Sequence, residues 1–144
     1  DTAWADYARL MDVNMGGVFL ACKYAVKKML ARGGAIVNVS SVWGVTGGSC
    51  ESAYSAPKGA VMAFTKALAK ELAPSRITVN CVAPGVIDTA MNGRLNAAER
   101  RALTEEIPLG RFGTPEEVAE CVYYLATAKY VTGQIVGADG GFSL

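Results

Sequence analysis

The chain has 144 residues, 51% of them hydrophobic and 19% charged, with a formal net charge of +1; it suits one folded domain and gives no ground for binding nucleic acid or an acidic membrane surface. Histidine is absent, and the four cysteines, Cys22, Cys50, Cys81 and Cys121, form no C-x-x-C pair. That argues against a metal site or a His-based triad and for free thiols in a reducing cytoplasm, as does the lack of a signal peptide or of an apolar run near the ~20 residues that span a bilayer.

From Trp4 to about Leu30 one helical stripe runs through Tyr7, Leu10, Met11, Asn14, Val18, Cys22, Ala25 and Met29. Asn14 falls on that apolar stripe, where an amide must find hydrogen-bond partners. Gly16 and Gly17 lie mid-helix at roughly 1 kcal/mol each against alanine, which predicts a bend or close packing. Arg32-Gly33-Gly34 is a stop signal. Ala35 to Val39 then reads as a short strand ending at Ser40 and Ser41, followed by a loop with Gly44, Gly47 and Gly48.

A second helical pattern follows, with Val61, Phe64, Leu68 and Leu72 on one face. Proline is tolerated in a helix's first turn, so Pro57 places the start near Tyr54. Gly59, Ala63 and Ala67 form a small-residue stripe that admits another helix, from this chain or a second copy. Tyr54 and Lys58 are four apart and share a helix face, with Cβ atoms roughly 5–6 Å apart. The ammonium is expected to favour the phenolate and lower the tyrosine pKa from ~10, so that it exchanges a proton near neutral pH. Ser41 lies thirteen residues before Tyr54, at the strand's end, where its hydroxyl can reach a carbonyl oxygen held near the phenol. An isolated Tyr-x3-Lys pair is ordinarily a surface tyrosine beside a solvated lysine. With the serine upstream, a catalytic set is the better reading.

Ile77 to Ala83 is nearly all apolar, as for a strand buried on both faces of a parallel sheet. Pro84-Gly85 breaks it at the carboxyl end, the edge where α/β sheets bind ligands. Gly85 is expected to leave room for a ligand at the backbone and Thr89 to offer a hydroxyl, although an ordinary turn uses the same Pro-Gly. Residues 90–110 read as one or two short helices with charged faces. Thr114-Pro115-Glu116-Glu117 is a helix start with Thr114 as N-cap, Pro115 at N1 and Glu117 closing a capping box. Val118, Cys121, Val122 and Leu125 form that helix's buried side, and Gln134-Ile135-Val136 a last short strand. Strands alternating with helices predict an α/β, Rossmann-like parallel sheet with right-handed crossovers.

Ser41, Tyr54 and Lys58, in that order and spacing, resemble the catalytic serine, tyrosine and lysine of the short-chain dehydrogenases/reductases. IVNVSS, ITVNCVAPGVIDTAM and DVNMGGVF match the same family's pattern, and the likeness covers nearly the whole chain. It implies NAD(P)H-dependent reduction of a carbonyl with Tyr54 as general acid, and NADP(H) favoured over NAD(H). It also implies that Asn14 anchors a water linking Lys58 to solvent, and that Pro84, Gly85, Ile87 and Thr89 join Tyr54 and Lys58 in holding the cofactor. The long helix of Tyr54 helps build a dimer interface in that family, so a homo-oligomer, dimer or tetramer, is expected. Locally, SSVWGVTGGSCESAYSAPKGA and EIPLGRFGTPEEVA are similar to reductases of 3-oxoacyl-acyl-carrier-protein and of elongation factor P 5-aminopentanone. The features Trp43-Gly44 and Ser49-Cys50-Glu51 lean toward the second. A small-molecule or carrier- or protein-bound carbonyl is the substrate class implied.

No G-x-G-x-x-G or related glycine pattern occurs, and the residue that chooses between NAD and NADP is absent. Residues 1–144 are therefore expected to be the carboxyl-terminal part of a single short-chain dehydrogenase/reductase domain. The alternative is a non-catalytic α/β subunit acting through helix association, which the fold alone allows.

Overall fold

A computed structural model describes residues 2–144. Three parallel strands, β1 (Gly34–Val39), β2 (Ile77–Pro84) and β3 (Ile135–Ala138), form a sheet in the order β1-β2-β3. Ile36 pairs with Val79, Val39 with Val82 and Cys81 with Ile135. The central strand β2 buries Ile77, Val79, Cys81, Val82 and Ala83 almost completely, as its unbroken apolar run predicts. β1 lies at one edge of the sheet.

The first helical stripe is interrupted. Helix α1 (Trp4–Met11) passes through one π turn (Asp12–Gly16) into α2 (Gly17–Met29). The irregularity that Gly16 and Gly17 predict is this wider turn, and Asn14 sits in its middle. Its Nδ2 donates to the Leu10 carbonyl at 3.1 Å.

After β1 come a one-turn helix, α3 (Trp43–Thr46), and the 21-residue α4 (Ser52–Leu72). The start near Tyr54 is corrected to Ser52, which makes Pro57 the sixth residue of the helix rather than part of its first turn. Proline has no N–H to offer the carbonyl four residues back, so the Ala53 carbonyl loses its usual helix partner. The Tyr54 and Ser55 N–H groups bond the Glu51 carbonyl at 3.1 and 2.8 Å, which carries the helix one turn further back.

α2 and α4 pack on the sheet around Cys22, Ile36, Ala69, Leu72, Ile77 and Val79. Two amides cross-link the interior. Asn38 donates to the Thr65 hydroxyl at 2.9 Å and accepts from the Cys22 thiol at 3.5 Å. Asn80, fully buried, donates to the Val131 carbonyl at 2.8 Å and accepts the Gln134 N–H at 3.1 Å.

One helix, α5 (Ala97–Glu106), occupies the 90–110 segment, and α6 (Pro115–Thr127) follows. The capping box of α6 is present as its sequence predicts. α6 packs against β1, β2 and β3 without packing beside α4, so it covers the opposite face of the sheet. The β1–α4–β2 and β2–α6–β3 connections thus step the same way across the sheet but over opposite faces, and must be of opposite hand. With the ordinary right hand for the first, the second is left-handed. This corrects the expectation that every crossover is right-handed. The connection from residue 85 to 134 is long enough to pass beneath the sheet.

Candidate active site

The carboxyl ends of β1 and β2 are stitched together just past their ladder. Ser40 N–H donates to the Val82 carbonyl and Val42 N–H to the Pro84 carbonyl, both at 2.8 Å. Between these two bonds the chain carries Ser41, half-buried, whose Oγ accepts the Trp43 N–H at 3.2 Å. Its hydroxyl also faces the Tyr54 phenol closely enough to lower that group's pKa by hydrogen bonding. Tyr54 and Lys58 stand one turn apart on α4, both half-buried, with the Lys58 ammonium 5.4 Å from the centre of the Tyr54 ring. The π turn holding Asn14 packs against the same helix.

Burial pushes the Tyr54 phenol up from its ordinary value, Ser41 partly opposes the rise and Glu51 adds to it. The expected lowering of this pKa by Lys58 is therefore not met in the chain as it stands. Loss of hydration is the largest effect on the phenol, and Lys58, 5.4 Å from the ring centre, does not offset it. Burial likewise pushes Lys58 down, against the buried Cys81 thiol, which acts in the other direction. Cys81 itself is raised by burial to about 11.

The loop after β2 starts with Pro84, half-buried at the strand's end. Gly85 donates its N–H to the Ala138 carbonyl at 3.0 Å, and a Cβ there would sit 2.7 Å from the Asp139 Cα. On the side where a Cβ would point, this glycine is packed directly against Asp139. Ile87 forms a short parallel bridge with Gly113, and its carbonyl accepts from Asn92 Nδ2 at 2.7 Å. Thr89 is exposed. A bidentate pair of Arg100 with Asp88, at 3.1 and 2.9 Å, braces the loop from α5, and the same guanidinium lies 4.3 Å from the Phe112 ring centre.

The residues present fit the nicotinamide-ribose end of a dinucleotide. The ion pairs among the described residues are Arg100–Asp88 and Arg111–Glu117, so the half-buried Lys58 ammonium has no carboxylate partner and can serve a pair of ribose hydroxyls. No cluster of metal-ligating side chains occurs among the described residues, and no helix there is long and apolar enough to cross a membrane.

Sequence reasoning passed over two residues at this site. Ser40, 4% exposed, donates its hydroxyl to the Lys58 carbonyl at 2.7 Å. Gly44 lies so close to α4 that a Cβ would fall 2.8 Å from the Lys58 carbonyl carbon and 2.9 Å from Ser40 Oγ. The doubled serine and the glycine three residues later are the signal that was there to be used.

The model of the family described as "Enoyl-(Acyl carrier protein) reductase" matches residues 1–143. The chain belongs to the short-chain dehydrogenase/reductase family. Carbonyl reductase family member 4 of Danio rerio is 48% identical over 139 residues, spanning 96% of this chain and 57% of that protein. The crystal structure of a 3-oxoacyl-[acyl-carrier protein] reductase from Brucella melitensis superposes with a TM-score of 0.94 at 37% identity, covering 100% of this chain and 55% of that one. A putative 2-deoxy-d-gluconate 3-dehydrogenase from Agrobacterium tumefaciens with bound NADP gives the same TM-score and identity, over 99% and 60% of the two chains. The chain thus spans little more than half the length of these short-chain relatives. Its three-stranded sheet is part of their Rossmann-like fold.

Proposed function

We propose that the chain is the catalytic, carboxyl-terminal part of an NAD(P)H-dependent carbonyl reductase. The observation that carries this is the convergence of a serine hydroxyl, a half-buried phenol in contact with it and an unpaired ammonium at the carboxyl edge of the sheet. When bound, the dinucleotide supplies the hydride. Ser41 donates its proton to the substrate carbonyl oxygen, a positioned donor for the charge that develops there. Tyr54 gives its proton to the same oxygen as the alcohol forms, acting as the general acid. Lys58 holds the nicotinamide ribose with Tyr54 and favours the phenolate left behind. Asn14, in a turn packed on α4, anchors the water that leads from Lys58 to solvent. Pro84, Gly85, Ile87 and Thr89 border the nicotinamide.

The NADP bound to the Agrobacterium relative supports NADP(H) as the preferred cofactor. The Brucella relative's name supports a carrier-bound ketone as substrate. Trp43, packed edge-to-face on Phe142 at 5.3 Å, offers one wall for it. The exposed faces of α2 and α4 supply the contact for a homo-oligomer.

The deciding experiment uses the complete reductase, this chain joined to a nucleotide-binding half. Tyr54→Phe is expected to remove nearly all turnover while leaving the fold and cofactor binding in place. A wild-type rate in that variant would end the proposal.

A further inference from the structure

We propose that Ser40 and Gly44 are positioning residues that clamp the Lys58 carbonyl and thereby set where Lys58 and Tyr54 stand relative to Ser41. This rests on the reading that Ser41, Tyr54 and Lys58 do the chemistry.

Helix α4 is weakest where the site needs it firm. Pro57 withholds an N–H one residue before Lys58, so the helix's own ladder lacks its bond to the Ala53 carbonyl beside the turn that joins Tyr54 to Lys58. Just past that gap, Lys58 is held from outside the helix. The Ser40 hydroxyl, almost fully buried, reaches the Lys58 carbonyl at 2.7 Å, a short bond between well-shielded groups. Ser40 is bonded covalently to Ser41 and fixed to β2 by its own N–H. One residue therefore links the sheet, the serine and the helix.

Gly44 closes the arrangement from the other side. Its N–H donates to the Ser41 carbonyl at 2.9 Å. Its missing side chain lets the α3 turn lie directly on the Lys58 carbonyl, where any Cβ would overlap it. Ser41, Gly44 and Lys58 are thus joined by one hydrogen bond and one contact that tolerates no intervening atom. A buried hydroxyl finding an acceptor is ordinary; here the acceptor belongs to the residue whose ammonium the reaction uses.

The test compares Ser40→Ala with Thr132→Val in the complete reductase. Thr132 accepts the Val79 N–H at 3.0 Å, well away from Lys58, so its loss removes a comparable bond without touching the clamp. Ser40→Ala is expected to lower kcat about tenfold or more, since a displacement near 1 Å can cost on the order of 100-fold. It should also move the Tyr54-dependent inflection of the pH–rate profile by about one unit and weaken NADPH binding severalfold by nicotinamide fluorescence. Thr132→Val should lower the melting temperature and leave profile and binding alone. Gly44→Ala should reproduce the Ser40→Ala shifts. If Ser40→Ala does not fold, Ser40→Cys, similar in size but a weak donor, is read in the same way. A Ser40 variant that loses melting temperature alone, with wild-type profile and NADPH affinity, would overturn the clamp. Tyr54→Phe run in parallel separates the two failures: activity there overturns the reading of the site, whereas an inactive Tyr54→Phe beside an unshifted Ser40 variant overturns the clamp only.

Discussion

Asn80 is the residue on which the attachment of β3 most depends. Its side chain is fully buried in β2 and holds two backbone groups of the segment leading into β3, the Val131 carbonyl and the Gln134 N–H. Asn80→Ala leaves both without their partner in a space water does not readily enter. An unsatisfied buried group costs about 1–3 kcal/mol, so the pair should cost about 2–6 kcal/mol, a large share of a domain's ~5–15 kcal/mol. At roughly 2–4 °C per kcal/mol for a protein of this class, the complete reductase should melt roughly 4–24 °C lower. Thermal unfolding followed by circular dichroism reads the change. Gln134→Ala is the matched control, because only the backbone of that exposed residue engages Asn80; it should shift the midpoint by less than ~2 °C. A fall of under ~2 °C in Asn80→Ala would refute the reasoning, since water would then be replacing both bonds.

Stability should decline in alkali. Cys81, raised from 9.0 to about 11, keeps its proton in the folded chain where an unfolded thiol loses it; the folded state binds the extra proton, so stability falls as pH climbs from 9 toward 11. Tyr54, raised above 10.0, acts in the same direction from pH 10 upward. Lys58, lowered below 10.5, acts oppositely. Urea midpoints at pH 8.5 and 10.5 should therefore differ less in Cys81→Ala than in wild type, and equal differences would refute the assignment. The 144-residue chain on its own should self-associate and lack reductase activity, because β1 exposes an unpaired edge with Val39 half-open beside it. A monomer with cooperative unfolding in a sedimentation experiment would contradict this.

What the sequence made legible was whatever a short window decides. The strand of β2 announces itself by an unbroken apolar run, α6 by Thr114, Pro115 and Glu117 in capping register, and the proposed site by Ser41, Tyr54 and Lys58 at family spacing. What escaped depends on distance through space. The hand of the β2–β3 connection is set by the face α6 covers, which no local pattern reveals. That Gly85 also has to admit Asp139, far along the chain, is a second reason for the glycine that no local pattern shows. Pro57 invited a late helix start because local rules treat an interior proline as a break. The contacts that Ser40 and Gly44 make with the Lys58 carbonyl, one residue further on, are invisible to such rules. The Tyr54 pKa followed the same logic: a neighbouring charge is visible in the sequence, burial is not.

The π turn at Asp12–Gly16 holds one residue more than an α-helix would use to cover the same stretch. Deleting a single residue there would let α1 and α2 run as one regular helix. Because each residue turns an α-helix by about 100°, Trp4–Met11 would swing to present a different face to α4. The segment therefore works as a phase adjuster. It lets α1, half-buried along Tyr7, Leu10 and Met11, and α2, which buries Cys22, meet the same neighbour in step, and it ties the orientation of the first of them to the length of a five-residue turn.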